Sequence, residues 1–164
     1  MERQTQAPKV VINASVFLTA VLVDEPADAR HGAHRLLQDV IAQQADAFVP
    51  DRFEDEVLGG LVEAVTKGRP ILATPAAIFS ELLSFADAFM HWHYRDWTPE
   101  EVWAMATVKG CSYYDAIYLV LAHKLDAVFW TADRRLYDFL KRHRQLTNPT
   151  VRWIGDYRRQ PFTP

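Results

Sequence analysis

A chain of 164 residues with 49% hydrophobic and 24% charged residues has the composition of a globular protein and enough length for one domain with its own core. The formal net charge of -3 is not the strongly basic balance of many nucleic-acid-binding proteins, so any such role must depend on the local distribution of charge. The single cysteine excludes an intramolecular disulfide. The sequence predicts a cytoplasmic protein without a membrane span, because a lone cysteine fits a reducing compartment, the N-terminus is polar and no apolar stretch is long.

The first half of the chain predicts two strands and four helices. We place the strands at residues 9–12 and 47–49, and the helices at residues 16–23, 27–44, 50–66 and 75–88. Ser15 is the expected cap of the first helix, Pro50 the expected first residue of the third, and Thr74 the expected cap of the fourth. The third helix carries its apolar side chains at four-residue spacing, which predicts that they share one buried face. These side chains are Phe53, Val57, Leu61 and Val65.

The second half predicts three strands and three helices. We place the strands at residues 89–94, 128–130 and 151–153, and the helices at residues 99–110, 112–125 and 134–143. Thr98 and Glu101 form a capping box, Ser112 caps the next helix, and Asp133 caps the last one. Short apolar strands that alternate with helices predict a single α/β domain over residues 1–164, with three α/β/α layers and a mostly parallel central sheet.

Four polar residues lie at the ends of these elements. Asn13 and Asp133 lie just past the carboxyl ends of strands, in the region where parallel sheets bind ligands. Asp115 lies in the first turn of its helix, and Glu56 lies at the boundary of its helix's apolar face. Carboxylate and amide oxygens are suitable ligands for Mg²⁺ or Mn²⁺. Each residue also has a simpler interpretation, because caps and first-turn acids are common and Glu56 has acidic neighbours.

Several segments resemble a known family. The pattern of Val11–Leu18 with Asp24–Pro26 resembles the opening of a PIN domain of the VapC toxin type. Val49–Val57 resembles the second segment of that family, and the resemblance selects Glu56 from the adjacent acids. Ser112–Leu119 and Phe129–Leu136 resemble the third and fourth segments more closely. The resemblance covers nearly the whole chain, with the segments in the family's order.

The resemblance implies a Mg²⁺- or Mn²⁺-dependent endoribonuclease, the toxin of a type II toxin-antitoxin pair. It implies cleavage of transfer or ribosomal RNA, a homodimer, and silencing by a small DNA-binding antitoxin. It makes Glu56, Asp115 and Asp133 metal-site acids, and Ser15 and Thr131 hydroxyls that support them.

Asn13 departs from the family pattern, which has aspartate at this position. The amide retains a carbonyl oxygen but removes one negative charge, so the expectation is a preformed site with weak metal binding and slow turnover. Natural degeneration, a natural asparagine lineage and a deliberate substitution all fit this sequence. Two other functions stay open: a non-catalytic module that binds RNA or a protein through the same cleft, and a structural dimer with a vestigial site.

Basic residues follow the last acid of the pattern. Arg134 and Arg135 adjoin Asp133, and further basic residues occur at 141–144 and 158–159. Such a run is either a solvated helix face or a set of phosphate contacts beside the metal site. We include Arg134 and Arg135 as candidate RNA-binding residues.

Aromatic, histidine and cysteine side chains offer further candidates. The rings of the segment 113–118 and of Trp130 either stack bases or build the core and a dimer face. The pairs His91/His93 and His31/His34 have spacings compatible with a transition metal, but no third ligand lies nearby in the sequence, and partly exposed positions explain them better. Cys111 precedes a helix, where a nucleophile or a small buried side chain fits.

Overall fold

The computed structural model describes residues 7–157, and its strands and helices alternate along the chain as the sequence predicts. The strands are β1 (Lys9–Ile12), β2 (Asp46–Pro50), β3 (Met90–His93), β4 (Val128–Thr131) and β5 (Val151–Trp153). The helices are α1 (Ala14–Val21), α2 (Ala27–Ile41), α3 (Phe53–Thr66), α4 (Pro75–Phe89), α5 (Pro99–Lys109), α6 (Tyr113–Leu125) and α7 (Arg134–Arg142). A short 3₁₀ helix, Ile154–Asp156, follows β5. The basic residues 158 and 159 lie outside the described residues.

All five strands form one parallel sheet in the order β3-β2-β1-β4-β5. With the flanking helices, the sheet gives the predicted three-layer α/β/α fold. The chain adds β2 and β3 on one side of β1, and then β4 and β5 on the other. The strand order therefore reverses between β1 and β4, and such a reversal opens a crevice at the carboxyl ends of the two strands.

The core explains why the strands read as continuous apolar runs. Val10, Val11 and Ile12 are fully buried, because helices cover β1 on both faces and strands flank it. Helix α6 contacts β1, β2 and β4, and α5 packs against it. Residues 116–122 of α6 are therefore all buried.

Two predicted helix starts are wrong. Helix α1 begins at Ala14, and its cap is Asn13 rather than Ser15, because the Asn13 side chain accepts a hydrogen bond from the backbone N–H of Ser15. Pro50 does not open a helix. It is the last residue of β2, paired with His93, and α3 begins after a turn.

The predicted apolar face of α3 is correct except at its last position. Phe53, Val57 and Leu61 are buried, but the next buried residue is Ala64, and Val65 is 44% exposed. Each residue advances the helix by about 100°, so a strict four-residue spacing drifts off the buried face after three steps. Helix α2 likewise ends at Ile41, three residues before the predicted end.

The remaining caps are confirmed. Thr74, Thr98, Ser112 and Asp133 each accept a hydrogen bond from a backbone N–H of their own helix, and Thr98 forms the full capping box with Glu101. Within residues 7–157, no helix combines the length and apolar character needed to cross a membrane.

Candidate functional site

A chain of short hydrogen bonds joins the carboxyl ends of β1 and β4. Oδ1 of Asn13 accepts from the N–H of Ser15 at 2.8 Å, and Oγ of Ser15 accepts from the N–H of Ala132 at 3.0 Å. Oγ of Ser15 also lies 3.4 Å from Oγ1 of Thr131, which accepts from the N–H of Asp133 at 3.0 Å. The two hydroxyls predicted to support the site thus connect the start of α1 to the backbone that carries Asp133.

Asp133 caps α7, and Asp115 lies in the first turn of α6. Oδ1 of Asp133 accepts from the N–H of Leu136 at 3.0 Å, and Oδ2 of Asp115 accepts from Oγ of Ser112 at 2.6 Å. Burial raises the pKa of the Asp115 carboxyl. The hydrogen bond from Ser112 opposes this shift, and the negative charge of Asp133 adds to it. The two aspartates are therefore close enough to repel each other.

Glu56 is held by Tyr118. The Tyr118 hydroxyl donates a hydrogen bond of 2.9 Å to Oε2 of Glu56, whereas Oε1 is buried and has no hydrogen-bond partner. Burial raises the pKa of Glu56. The hydrogen bond from Tyr118 and the charge of Arg52 lower it, and the charge of Asp115 raises it. Asp115 therefore interacts electrostatically with both of the other acids.

The three acids do not converge on one point. Within residues 7–157, no group of three or more His, Cys, Asp or Glu side chains is placed to hold a metal ion together. Each carboxylate instead accepts a hydrogen bond from a protein donor nearby.

The two candidate RNA-binding arginines differ in their surroundings. The guanidinium of Arg134 lies 3.8 Å from the ring centroid of Trp153 and 3.8 Å from a carboxylate oxygen of Asp138. The positive charge of Arg135 acts on Asp115, whose pKa it lowers. Both side chains are exposed, and of the two only the charge of Arg135 contributes to the pKa shift of Asp115.

The aromatic candidates separate into two groups. Tyr118 and Trp130 belong to the core, so they are not available to bases. Tyr113 and Tyr114 are 41% and 54% exposed, and their rings meet edge to face with centroids 6.1 Å apart. Only the second group can contact a ligand.

The histidines and the cysteine have structural environments. His91 is hydrogen-bonded to Asp46 at 2.8 Å and His93 to Asp96. His31 and His34 line a separate cavity beside Gly155. Burial raises the pKa of the Cys111 thiol to about 11, which disfavours the thiolate that a nucleophile requires.

Sequence reasoning missed three residues. The sequence predicts base stacking or core packing for Tyr118, although its hydroxyl donates a hydrogen bond to Glu56. Arg52 received no role, yet its guanidinium lies 4.3 Å from the ring centroid of Tyr114. Lys109 is buried, with its amine bonded to the carbonyls of Gln145 and Thr147. None of these contacts leaves a local sequence signal, since the partners are far apart in the chain.

Fold and site together define a three-layer α/β protein with an acidic crevice where the strand order of its parallel sheet reverses. No protein-family model matches the chain, and no curated protein matches it either. Among solved structures it is similar to the crystal structure of PAE2754 from Pyrobaculum aerophilum. The TM-score is 0.60 and the identity 18%, with 90% of each chain covered. At this identity the similarity concerns the fold.

Proposed function

We propose that the protein is a Mg²⁺- or Mn²⁺-dependent endoribonuclease that cleaves RNA at the crevice between β1 and β4. One observation carries the proposal. The charge of Asp115 raises the pKa of Glu56, and the charge of Asp133 raises the pKa of Asp115, at the edge of the sheet where such folds bind ligands. Carboxylates that repel each other in a partly buried site create a demand for a cation.

The chemistry of the side chains fits a hard divalent ion. Every candidate metal-ligand atom is an oxygen, and one of these oxygens, Oε1 of Glu56, is buried without a hydrogen-bond partner. Glu56, Asp115 and Asp133 would hold the ion, with Oδ1 of Asn13 at the margin. When bound, the ion supplies an activated water and neutralises the charge that develops on the phosphodiester.

The remaining residues position the acids and the RNA. Tyr118 holds one oxygen of Glu56, and the hydroxyls of Ser15 and Thr131 hold the backbone on both sides of Ala132. Arg135 and Arg134, exposed at the start of α7, are available for phosphate oxygens of the RNA.

Asn13 sets the level of activity. It caps α1 through the same side-chain oxygen that an aspartate would use, so an aspartate fits without rearrangement. Asn13→Asp adds one negative charge to the crevice and is expected to tighten the binding of Mn²⁺ by about tenfold, measured by calorimetry. Cleavage of a mixed RNA pool should rise with it. The matched control is Asn13→Asp combined with Asp115→Asn, which restores the charge of the parent chain. An unchanged affinity and cleavage rate in Asn13→Asp would exclude this role.

The resemblance of the four segments to a PIN domain of the VapC toxin type also suggests a role for the protein in the cell. We infer a cytoplasmic toxin, homodimeric, that acts on transfer or ribosomal RNA and is silenced by a small DNA-binding antitoxin. Expression of the Asn13→Asp chain should then arrest growth, and co-expression of a small DNA-binding protein from the neighbouring gene should relieve the arrest. Growth arrest by the double variant as well would contradict a nuclease origin of the toxicity.

A second candidate is a non-catalytic module that binds RNA or a partner protein in the same crevice. Asn13 favours it, as does the spread of the three acids within residues 7–157. A titration separates the two functions. Binding of Mg²⁺ or Mn²⁺ at millimolar concentration supports the nuclease, whereas RNA binding without any metal binding supports the module. A structural dimer with a vestigial site binds neither.

A further inference from the structure

A cavity of about 470 Å³ opens beside the acidic crevice, between the start of α3, the segment after β3 and the start of α6. Its volume is in the range of small-ligand pockets. Two arginines, two aspartates and two aromatic rings contribute to its lining: Arg52, Arg95, Asp51, Asp55, Trp97 and Tyr113. The cavity is therefore electrically balanced and has flat apolar surfaces, which suits a ligand that is itself flat and polar at its edges.

Arg52 connects this cavity to the acids. Its guanidinium lies 4.3 Å from the ring centroid of Tyr114, the residue that precedes Asp115. Its charge also reaches Glu56, which is one turn further along the chain. Among residues 7–157, Arg52 forms no salt bridge within 4.0 Å, and its Nε is buried without a hydrogen-bond partner. The guanidinium is thus stacked in place but has no carboxylate partner, and a phosphate is a natural acceptor for it.

Tyr113 supplies a surface for a ring. It lines the cavity, and its side chain is exposed where the rings of Tyr118 and Trp130 are buried. The edge-to-face contact with Tyr114, which Arg52 covers in turn, limits the positions its ring can take. Exposed tyrosines of restricted mobility bind nucleobases by stacking, with a contribution that does not depend on the identity of the base.

We propose that this cavity binds one unpaired nucleotide of a single-stranded RNA, with the base stacked on Tyr113 and a phosphate bound by Arg52. The inference rests on the proposed function, because it places this nucleotide next to the phosphodiester at the acids. A base in a duplex has both faces covered by its neighbours and cannot enter. The cavity consequently selects single-stranded over double-stranded substrate.

Binding to a fluorescein-labelled, mixed-sequence RNA of twelve nucleotides tests the proposal. Fluorescence anisotropy is measured on the full chain in EDTA, so that neither metal nor cleavage contributes. Tyr113→Leu, which keeps apolar bulk but removes the ring, and Arg52→Gln are each expected to weaken binding by about tenfold. Trp103→Leu is the matched control, since Trp103 is a more exposed aromatic residue on α5, outside the cavity. Annealing the RNA to its complement should weaken binding of the parent chain.

The outcomes separate the two proposals. The subsite is wrong if the parent chain does not bind the single strand, if both variants bind like the parent, if Trp103→Leu loses as much affinity, or if the duplex binds equally well. Loss of affinity in Tyr113→Leu, without cleavage by Asn13→Asp in Mn²⁺, retains the subsite and rejects the nuclease. Cleavage by Asn13→Asp that Tyr113→Leu does not slow retains the nuclease and rejects the subsite.

Discussion

The hydroxyl of Tyr118 and the carboxylate of Glu56 form a hydrogen bond across the interior, from a fully buried ring to a residue at the edge of the crevice. Burial raises the pKa of the Tyr118 hydroxyl well above its ordinary value, so it stays protonated and can only donate while Glu56 is ionised. The pair fixes one carboxylate oxygen and leaves the other one unpaired.

Tyr118→Phe removes this donor without changing the shape of the ring. We expect the free energy of unfolding to fall by about 1 to 2 kcal/mol, the usual cost of losing a hydrogen bond to a buried polar group. The pKa of Glu56 should rise further, because the bond stabilises the ionised form. Urea denaturation measures the first effect. Tyr114→Phe, whose ring is exposed, is the control and should change stability by less than about 0.5 kcal/mol. Fully additive effects of Tyr118→Phe and Glu56→Gln would show that the two groups are not coupled.

Glu56→Gln should stabilise the metal-free protein at neutral pH. The pKa of Glu56 is raised in the folded state, so folding favours the protonated form, and ionisation above the ordinary pKa of 4.5 costs stability. We expect a gain of about 0.5 to 1 kcal/mol at pH 7, or about 1 to 4 °C in Tm. The gain should vanish below pH 4, where the carboxyl is protonated in both states.

The exposed Asp55 provides the control for this experiment. Asp55→Asn removes one negative charge from the same turn of α3. Because the charge of Asp55 adds slightly to the raised pKa of Glu56, this variant should give a gain in the same direction but a much smaller one. Millimolar Mn²⁺ should raise the Tm of the parent chain and not that of Glu56→Gln, because only the parent carries the carboxylate. A Glu56→Gln variant that is less stable than the parent at pH 7 would contradict the assignment.

Ser15→Ala tests the connection between α1 and the end of β4. The substitution leaves the N–H of Ala132 without its acceptor and removes the neighbour of the Thr131 hydroxyl. A loss of about 1 to 3 kcal/mol in the free energy of unfolding is expected, together with weaker metal binding in an Asn13→Asp background. Ser84→Ala, at an exposed position of α4, is the control. Unchanged metal affinity would reduce Ser15 to a purely structural role.

Lys109→Met tests a buried amine at the end of α5. Its Nζ donates to the carbonyl oxygens of Gln145 at 3.1 Å and Thr147 at 2.6 Å, which anchors the segment before β5 to the end of α5. Burial removes water from this amine, and the loss of solvation of its charge lowers the pKa of Lys109. Methionine fills the space but leaves two acceptors unpaired, and we expect a loss of about 2 to 3 kcal/mol. Lys141→Met, at an exposed position of α7, should be neutral, and an equal effect of both variants would refute this anchoring role.

Most of the fold was predictable because its signals are local. The caps at Thr74, Thr98, Ser112 and Asp133 each depend on a side chain and a backbone N–H two or three residues away, and all four are confirmed. One failure arose where two neighbours fit one role. Asn13 and Ser15 can both cap a helix, and the choice depends on Ser15 being recruited by Ala132 of a distant loop.

The candidate site was predictable only in part. Asn13 and Asp133 follow from strand ends, but the bond between Tyr118 and Glu56 joins residues 62 positions apart, and no periodicity in the sequence encodes it. The stacking of Arg52 on Tyr114 is likewise set by how α3 and α6 pack. The spacing of the three acids also depends on tertiary structure, because it is set by how the elements that carry them pack together.

The position of β4 beside β1 has a consequence for biosynthesis. The hydroxyls of Ser15 and Thr131 meet across 116 positions of the chain, and β4 can join the sheet only after everything between them has been translated. A growing polypeptide on the ribosome therefore contains Glu56 of α3 before the crevice between β1 and β4 has formed. The proposed activity would switch on only when the last third of the chain emerges and docks, so incomplete translation products remain harmless to the RNA that surrounds them.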